Sequence, residues 1–188
     1  MEKNDVGVYP ERILSLFAGI GGLDLSVKLA FPRSRTVAYV EREAYCQKIL
    51  MDRMQDKTLD DGPIWSDITT FDGKQWRGKV DTLIGGFPCQ DVSVAGKKAG
   101  IHEGSRSGLY YHYVRLIHEI RPRFVFVENV SGLLDNRAMG IVLGELSEMG
   151  FNAEWGMFSA SGVGSSHQRQ RVFILAHSKR IEIRGNER

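Results

Sequence analysis

Cysteine is scarce in this chain: Cys46 and Cys89 are the two in 188 residues. They form no Cys-X-X-Cys or Cys/His spacing, which argues against a structural zinc site or a disulfide framework and for a reducing, intracellular setting. Long apolar runs are missing as well. Nothing approaches a membrane span, and the first residues lack the basic-then-apolar order of a secretion signal, so a cytoplasmic location is expected. A strong excess of one charge is also absent, since the formal net charge is only +2. That balance alone does not announce nucleic-acid binding. From Val163 onward six Lys/Arg stand against two acids, so this end carries +4 and the remainder about −2; such a tail is either solvated chain or a phosphate contact. No internal repeat or low-complexity tract occurs. With 42% hydrophobic and 26% charged residues the chain has the composition of one ordinary globular domain.

Apolar strands alternate with helix-spaced segments along the chain. Residues 12–17 read as a buried strand, followed by Ala18-Gly19-Ile20-Gly21-Gly22 and a short helical pattern through Leu23, Leu25, Val27 and Leu29. A glycine-rich turn in that context lets backbone amides and a helix start approach a nucleotide-like ligand, although a plain tight turn would use the same residues. The next strand, residues 36–40, ends in Glu41, about 20 residues beyond the glycines, where a carboxylate can accept both hydroxyls of a ribose. Residues 43–54 read as a helix in which Cys46 packs. A short strand around Ile64 leads to Asp67, which either reads an exocyclic amine or caps the turn into Thr69. Residues 109–120 and 139–149 form further helices, and residues 123–127 the clearest strand. Glu128 at its tip, partly desolvated, is a candidate proton donor or a hydrogen-bonded loop carboxylate. Two closing strands, 152–158 and 170–176, flank a Ser/Gly loop, and alternation along a strand would put Arg169 and Arg171 on one face. The alternation predicts an α/β fold with a doubly wound, mostly parallel sheet of about six or seven strands. Residues 1–11 are read as a lead-in, 12–176 as the domain and 177–188 as a basic polar tail.

The stretch on which the rest converges is Asp81-Thr82-Leu83-Ile84-Gly85-Gly86-Phe87-Pro88-Cys89-Gln90. A buried strand ends here in two glycines, which permit a sharp turn or close approach to a ligand, and Pro88 stiffens the chain just before a thiol. The carboxyl edge of an open α/β sheet is where ligands bind. A lone cysteine can equally be a buried structural residue. The loop that follows, with Ser93, Lys97, Lys98 and Arg106, has the glycine- and lysine-rich composition of a binding segment.

Four blocks in this order, Phe17-Ala18-Gly19-Ile20-Gly21-Gly22, Gly86-Phe87-Pro88-Cys89-Gln90, Glu128-Asn129-Val130 and His167-Gln168-Arg169-Gln170-Arg171, strongly resemble the C5-cytosine DNA methyltransferases. The resemblance runs from about Arg12 to Ala176 and implies a Rossmann-like S-adenosylmethionine-dependent methyltransferase fold. It implies that Phe17, Gly19, Gly21 and Gly22 hold the methionine end of the cofactor, Glu41 its ribose, and Asp67 with Ile68 its adenine, with Pro88 also at the cofactor. Cys89 would add to C6 of a flipped cytosine, Glu128 would hold a proton at N3, Asn129 would support the loop, and Arg169 and Arg171 would clamp the base oxygen and a phosphate. Gln90, Ser93 and Arg106 would meet the DNA. The implied partner is double-stranded DNA, in a restriction-modification setting of bacterial or phage origin, without metal or membrane. His167 stands where many members carry Gln. The family's recognition domain and returning segment have no counterpart in this sequence. The resemblance therefore implies a minimal, truncated or split enzyme, with a second polypeptide as a candidate source of target recognition. A catalytically silent fragment acting with or on a partner methyltransferase is the alternative.

Overall fold

The computed structural model describes residues 12–88, 108–134 and 138–179. Its regular elements are, in chain order, β1 (Arg12–Leu16), α1 (Gly22–Ala30), β2 (Arg35–Val40), α2 (Ala44–Gln55), β3 (Ile64–Trp65), β4 (Thr82–Gly85), α3 (Gly108–Ile120), β5 (Phe124–Val130), α4 (Ala138–Glu148), β6 (Phe151–Ser159) and β7 (Gln170–Ser178). The strands form one sheet in the order β3-β2-β1-β4-β5-β7-β6. β1 to β5 pair in parallel, whereas β7 is antiparallel to both β5 and β6. β7 is thus the single reversed strand among those described, inserted between β5 and β6 as the second arm of a hairpin. Strand order reverses between β1 and β4, and a doubly wound sheet opens its ligand crevice at such a point, beyond the carboxyl ends of those strands.

Leu14, Leu16, Leu83, Val125, Val127, Val172 and Ile174 pack with Tyr113, Leu116, Ile117 and Ile120 of α3 and Val142 and Leu146 of α4. Helices cover both faces of β1 and β4, which are buried almost throughout, whereas β5 and β7 alternate buried and more exposed positions; each buried apolar side chain contributes about 1.5–3 kcal/mol relative to exposure. On the opposite face Ile13 and Ile84 meet Val27 of α1, and Tyr39 meets Leu50 and Met54 of α2. The β1–β2 register steps between Ile13 and Leu14, as a bulge does when it re-aims side chains. Tyr39 and Thr36, three residues apart, consequently both serve the face that carries α1 and α2.

Tyr113 is 1% exposed, between the rings of Phe17 and Phe87 at 6.4 and 5.3 Å. Its hydroxyl has no hydrogen-bond partner among the described residues, and burial pushes the phenol's pKa upward. An unsatisfied buried hydroxyl costs about 1–3 kcal/mol. Tyr113→Phe is therefore expected to unfold at a urea concentration equal to or above that of the parent. A stability loss greater than about 1 kcal/mol on urea titration would mean that the hydroxyl has a partner.

Candidate functional site

At the end of β1 the chain enters a turn with Phe17, Gly19 and Gly21 at φ 52°, 55° and 79°. Backbone bonds from Ala18 N–H to the Val40 carbonyl (3.2 Å) and from Gly21 N–H to the Ala18 carbonyl (2.9 Å) close it. A Cβ on Gly21 would lie 2.3 Å from Leu59, whereas one on Gly19 or Gly22 would meet nothing within 4 Å. The inner side of the turn is thus packed and its outer side open to an approaching molecule.

Glu41, at the tip of β2 and 9% exposed, accepts the Gly19 N–H on Oε2 at 2.7 Å and the Glu43 N–H on Oε1 at 2.8 Å. It holds the glycine turn in addition to any ligand, since each carboxylate oxygen has a second lone pair to offer. Asp67 is exposed and accepts the Thr69 N–H at 2.9 Å; hydrogen bonding from Thr69 holds its carboxyl below the usual range. The turn-capping role is therefore realised in the structure. Ile68 is 4% exposed and packs into the core, while its carbonyl accepts Arg115 Nη2 at 2.8 Å.

The β4 strand delivers the second loop. A Cβ on Gly85 would sit 2.1 Å from the Leu16 carbonyl oxygen, and one on Gly86 would sit 2.5 Å from the Glu128 carbonyl oxygen. Both glycines are thus demanded by the neighbouring strands, a reason that the sequence alone did not display. The Phe87 ring lies 4.7 Å from Tyr110 and 5.3 Å from Tyr113. Its carbonyl accepts Asn129 Nδ2 at 2.8 Å, and Asn129 is 5% exposed. Pro88 is exposed at the edge of the described residues. Cys89, Gln90, Ser93 and Arg106 lie outside them.

Glu128 and Arg171 form an ion pair, Nε to Oε1 at 2.7 Å, with side chains 33% and 23% exposed. Arg171 stands opposite Val130, so Glu128 is its diagonal neighbour on the same face, within reach of a long side chain. Arg169 precedes β7, is exposed, and accepts the Ala160 N–H on its carbonyl at 2.9 Å. β7 begins at Gln170, one residue after Arg169.

The site brings together the β1 turn, Glu41, the root of the β4 loop, Asn129 and the Glu128–Arg171 pair. The buried carboxyl of Asp24, bonded by Ser15 and Thr36, escaped the sequence reading. Its signal was there: Ser15 interrupts an otherwise apolar strand, and Asp24 sits between two leucines. Among the described residues no group of three or more His, Cys, Asp or Glu could hold a metal ion, and no helix is long and apolar enough to cross a membrane.

The family model described as "C-5 cytosine-specific DNA methylase" matches residues 11–187. The type II methyltransferase M.CviJI of Paramecium bursaria Chlorella virus IL3A is 34% identical over 171 residues, 91% of this chain and 44% of its own length. M.NgoPII of Neisseria gonorrhoeae is 32% identical over 179 residues, 93% of this chain and 50% of the relative. The chain thus spans about half the length of these curated relatives. Among solved structures, a Spodoptera frugiperda DNMT2 mutant superposes with TM-score 0.73 at 20% identity, covering 92% of this chain and 51% of that one. S. pombe Dnmt2 gives 0.68 at 20% identity, covering 89% and 49%. These structural likenesses speak for the fold.

Proposed function

Because the chain belongs to the C-5 cytosine-specific DNA methylase family, we propose that it handles cofactor and cytosine in a DNA (cytosine-5-)-methyltransferase. The observation that carries the reading is the convergence, at one edge of the sheet, of the open glycine turn, the braced root of the Cys89 loop and the Glu128–Arg171 pair. The outer side of the turn has room for a cofactor, and Glu41 offers it a carboxylate. Gly19, Gly21, Gly22 and Phe17 would hold its methionine end and Glu41 its ribose, with Asp67, Ile68 and Pro88 nearby. S-adenosylmethionine, when bound, supplies an electrophilic methyl group.

Cytosine C5 is a weak nucleophile until its ring is activated. In the proposed mechanism the Cys89 thiolate forms a bond to C6, and the displaced ring electrons are drawn toward N3, where Glu128 holds a proton. C5 then has enamine character. After C5 is methylated, loss of its proton to a base returns the electrons to the ring and expels the Cys89 thiolate. Asn129 fixes the loop by holding the Phe87 carbonyl. Arg171 orients Glu128 and stands with Arg169 at the site's edge to meet the base oxygen and a phosphate. Gln90, Ser93 and Arg106 would contact the DNA.

Glu128→Gln keeps the shape of the side chain and removes both the ion pair with Arg171 and the group that takes up a proton for N3 in the proposed mechanism. Methyl incorporation should fall about a hundredfold or more, while S-adenosylhomocysteine affinity by calorimetry stays within about twofold of the parent, a factor worth only about 0.4 kcal/mol. Initial rates within threefold of the parent would reject the role of Glu128.

The chain also offers a surface for the rest of such an enzyme, either a further segment or a second polypeptide. On the face that α1 and α2 occupy, no described helix lies beyond Phe126, over β5, β7 and β6. A cleft of about 330 Å³ opens there, lined by Val27, Phe31, Ile84, Phe124, Phe126 and Leu175; Leu175 is 48% exposed. The same face favours the alternative, a silent fragment that binds cofactor or DNA beside a partner methyltransferase. Transfer of labelled methyl from S-adenosylmethionine to mixed-sequence duplex DNA decides between them. Incorporation at cytosine C5 supports the enzyme; none, with S-adenosylhomocysteine still bound, supports the silent fragment.

A further inference from the structure

We propose that Asp24 is the positioning residue of the glycine turn, a buried carboxyl that locks the first turn of α1 to both β1 and β2. This inference rests on the cofactor reading above. Asp24 is 1% exposed, Ser15 1% and Thr36 3%. Ser15 Oγ of β1 donates to Asp24 Oδ2 at 2.9 Å, and Thr36 Oγ1 of β2 donates to Oδ1 at 3.0 Å. Both oxygens are thus engaged, each from a different strand.

The consequence lies one turn away. α1 starts at Gly21 without a side-chain cap, so the helix start that faces the ligand has no lock of its own. Asp24 supplies it from behind. β2, which carries Thr36, also ends in Glu41, whose carboxylate holds the Gly19 N–H at 2.7 Å. The turn is therefore tied to β2 at Gly19 and, through Asp24, at the helix beyond it. A shift of α1 along the sheet would move the Gly21 and Gly22 amides relative to Glu41, and with them the two ends of a nucleoside-bearing ligand. Thr36 pairs with Ile13, two residues before Ser15 on β1, so alternation puts both hydroxyls on the face that α1 covers.

Several other groups face Asp24. Tyr39 of β2 donates to the Asp60 carbonyl. Asp60 takes the Thr36 N–H on one oxygen and Lys28 Nζ of α1, at 2.9 Å, on the other. Burial pushes the Asp24 carboxyl up to about 6, against hydrogen bonds from Ser15 and Thr36 that pull it down, with Asp60 adding repulsion. Because its folded pKa lies above the ordinary carboxylate value of 3.8, the folded protein binds this proton more tightly than the unfolded chain does. The associated stabilisation is complete below about pH 4 and is lost as pH rises through about 6.

The test compares Asp24→Asn, Asp24→Ala, Ser15→Ala and the core truncation Val142→Ala on the opposite face, each checked for folding by circular dichroism and titrated with S-adenosylhomocysteine by calorimetry. Asp24→Asn can still bond both hydroxyls and should bind within about threefold of the parent, a small cost for preserved hydrogen bonds. Asp24→Ala, at a temperature where it is folded, should bind at least about tenfold more weakly, the effect of losing both buried bonds. Ser15→Ala should lie between these, and Val142→Ala should retain parental affinity. In thermal melts Asp24→Asn should gain on the parent by roughly 5 °C between pH 5 and pH 8, since it carries no charge to bury. Parental affinity in folded Asp24→Ala overturns the proposal. So does an equal loss in Val142→Ala, which would make affinity a mere reflection of stability. A parent that binds no S-adenosylhomocysteine overturns the cofactor reading, and the melts then report Asp24 as a structural carboxyl alone.

Discussion

Cys89→Ser is expected to lower methyl incorporation into DNA by more than about a thousandfold, the scale on which loss of a nucleophile is felt, and to leave S-adenosylhomocysteine affinity essentially unchanged. In the proposed mechanism the nucleophile adds to C6 as an anion. A thiol with a pKa near 8.5 supplies a few per cent of thiolate at neutral pH, and local positive charge raises that share, whereas a serine hydroxyl supplies essentially none without a neighbouring base. The described residues explain why the position matters as well as the atom. The root of the loop is fixed on three sides: Gly86 is pressed against the Glu128 backbone, the Phe87 carbonyl is held by Asn129, and the Phe87 ring is seated against Tyr110 and Tyr113. Tyr110 is itself anchored, its hydroxyl donating to Glu145 at 2.5 Å. The root ends at a defined place beside Glu128, which would make the proposed covalent addition an oriented event. Retention of even a tenth of the parental rate in Cys89→Ser, measured with labelled cofactor, would remove the adduct from the mechanism.

Gly85→Ala should cost at least about 3 kcal/mol and leave little native protein. Gly85 has φ +153°, and its added Cβ would lie 2.1 Å from the Leu16 carbonyl oxygen, an atom of the adjacent parallel strand that cannot swing away. Gly85 pairs with Leu16 on one side and Val127 on the other, so neither neighbour can retreat without opening the centre of the sheet. Gly144→Ala is the contrasting substitution: it lies on the exposed face of α4, where a Cβ meets nothing within 4 Å, and it should be stabilising by about 0.5–1 kcal/mol. Urea unfolding of the two variants tests the pair. A Gly85→Ala midpoint close to the parent would mean that β1 and β4 are not packed as described.

Much of this architecture was legible in the sequence because it rests on local signals. Apolar runs bounded by Gly, Pro and charged residues placed the main strands, and helical spacing placed the four helices within a residue or two of where they lie. Strand–helix alternation is enough to predict parallel neighbours, since a crossover helix leaves a strand little other choice. Glu41 and the Gly85-Gly86 stop were legible for the same reason: each ends a strand, and strand ends share an edge of an open sheet; Glu128, expected at the tip of a strand over 123–127, instead pairs with Phe173 inside β5, which runs on to Val130 because β7 extends the ladder.

What depended on pairing across the chain was not legible. The sequence named Gly85 and Gly86 as a turn or a ligand approach, while the structure assigns them to close contact with Leu16 and Glu128, 69 and 42 residues away by position. It put Arg169 and Arg171 near a strand start but did not show the partner of either: pairing across the chain sets Arg171 opposite Val130 and against Glu128. The joining of Asp24 to Ser15 and Thr36 depends on the pairing of β1 with β2 and the seating of α1 on them, which no local pattern encodes. Periodicity and turn chemistry act over a few residues, so one sequence determined which elements form and which side chains stand at their tips. Register, bulges and the partners of buried polar groups are set by contacts between distant segments, and these were decided only when the sheet assembled.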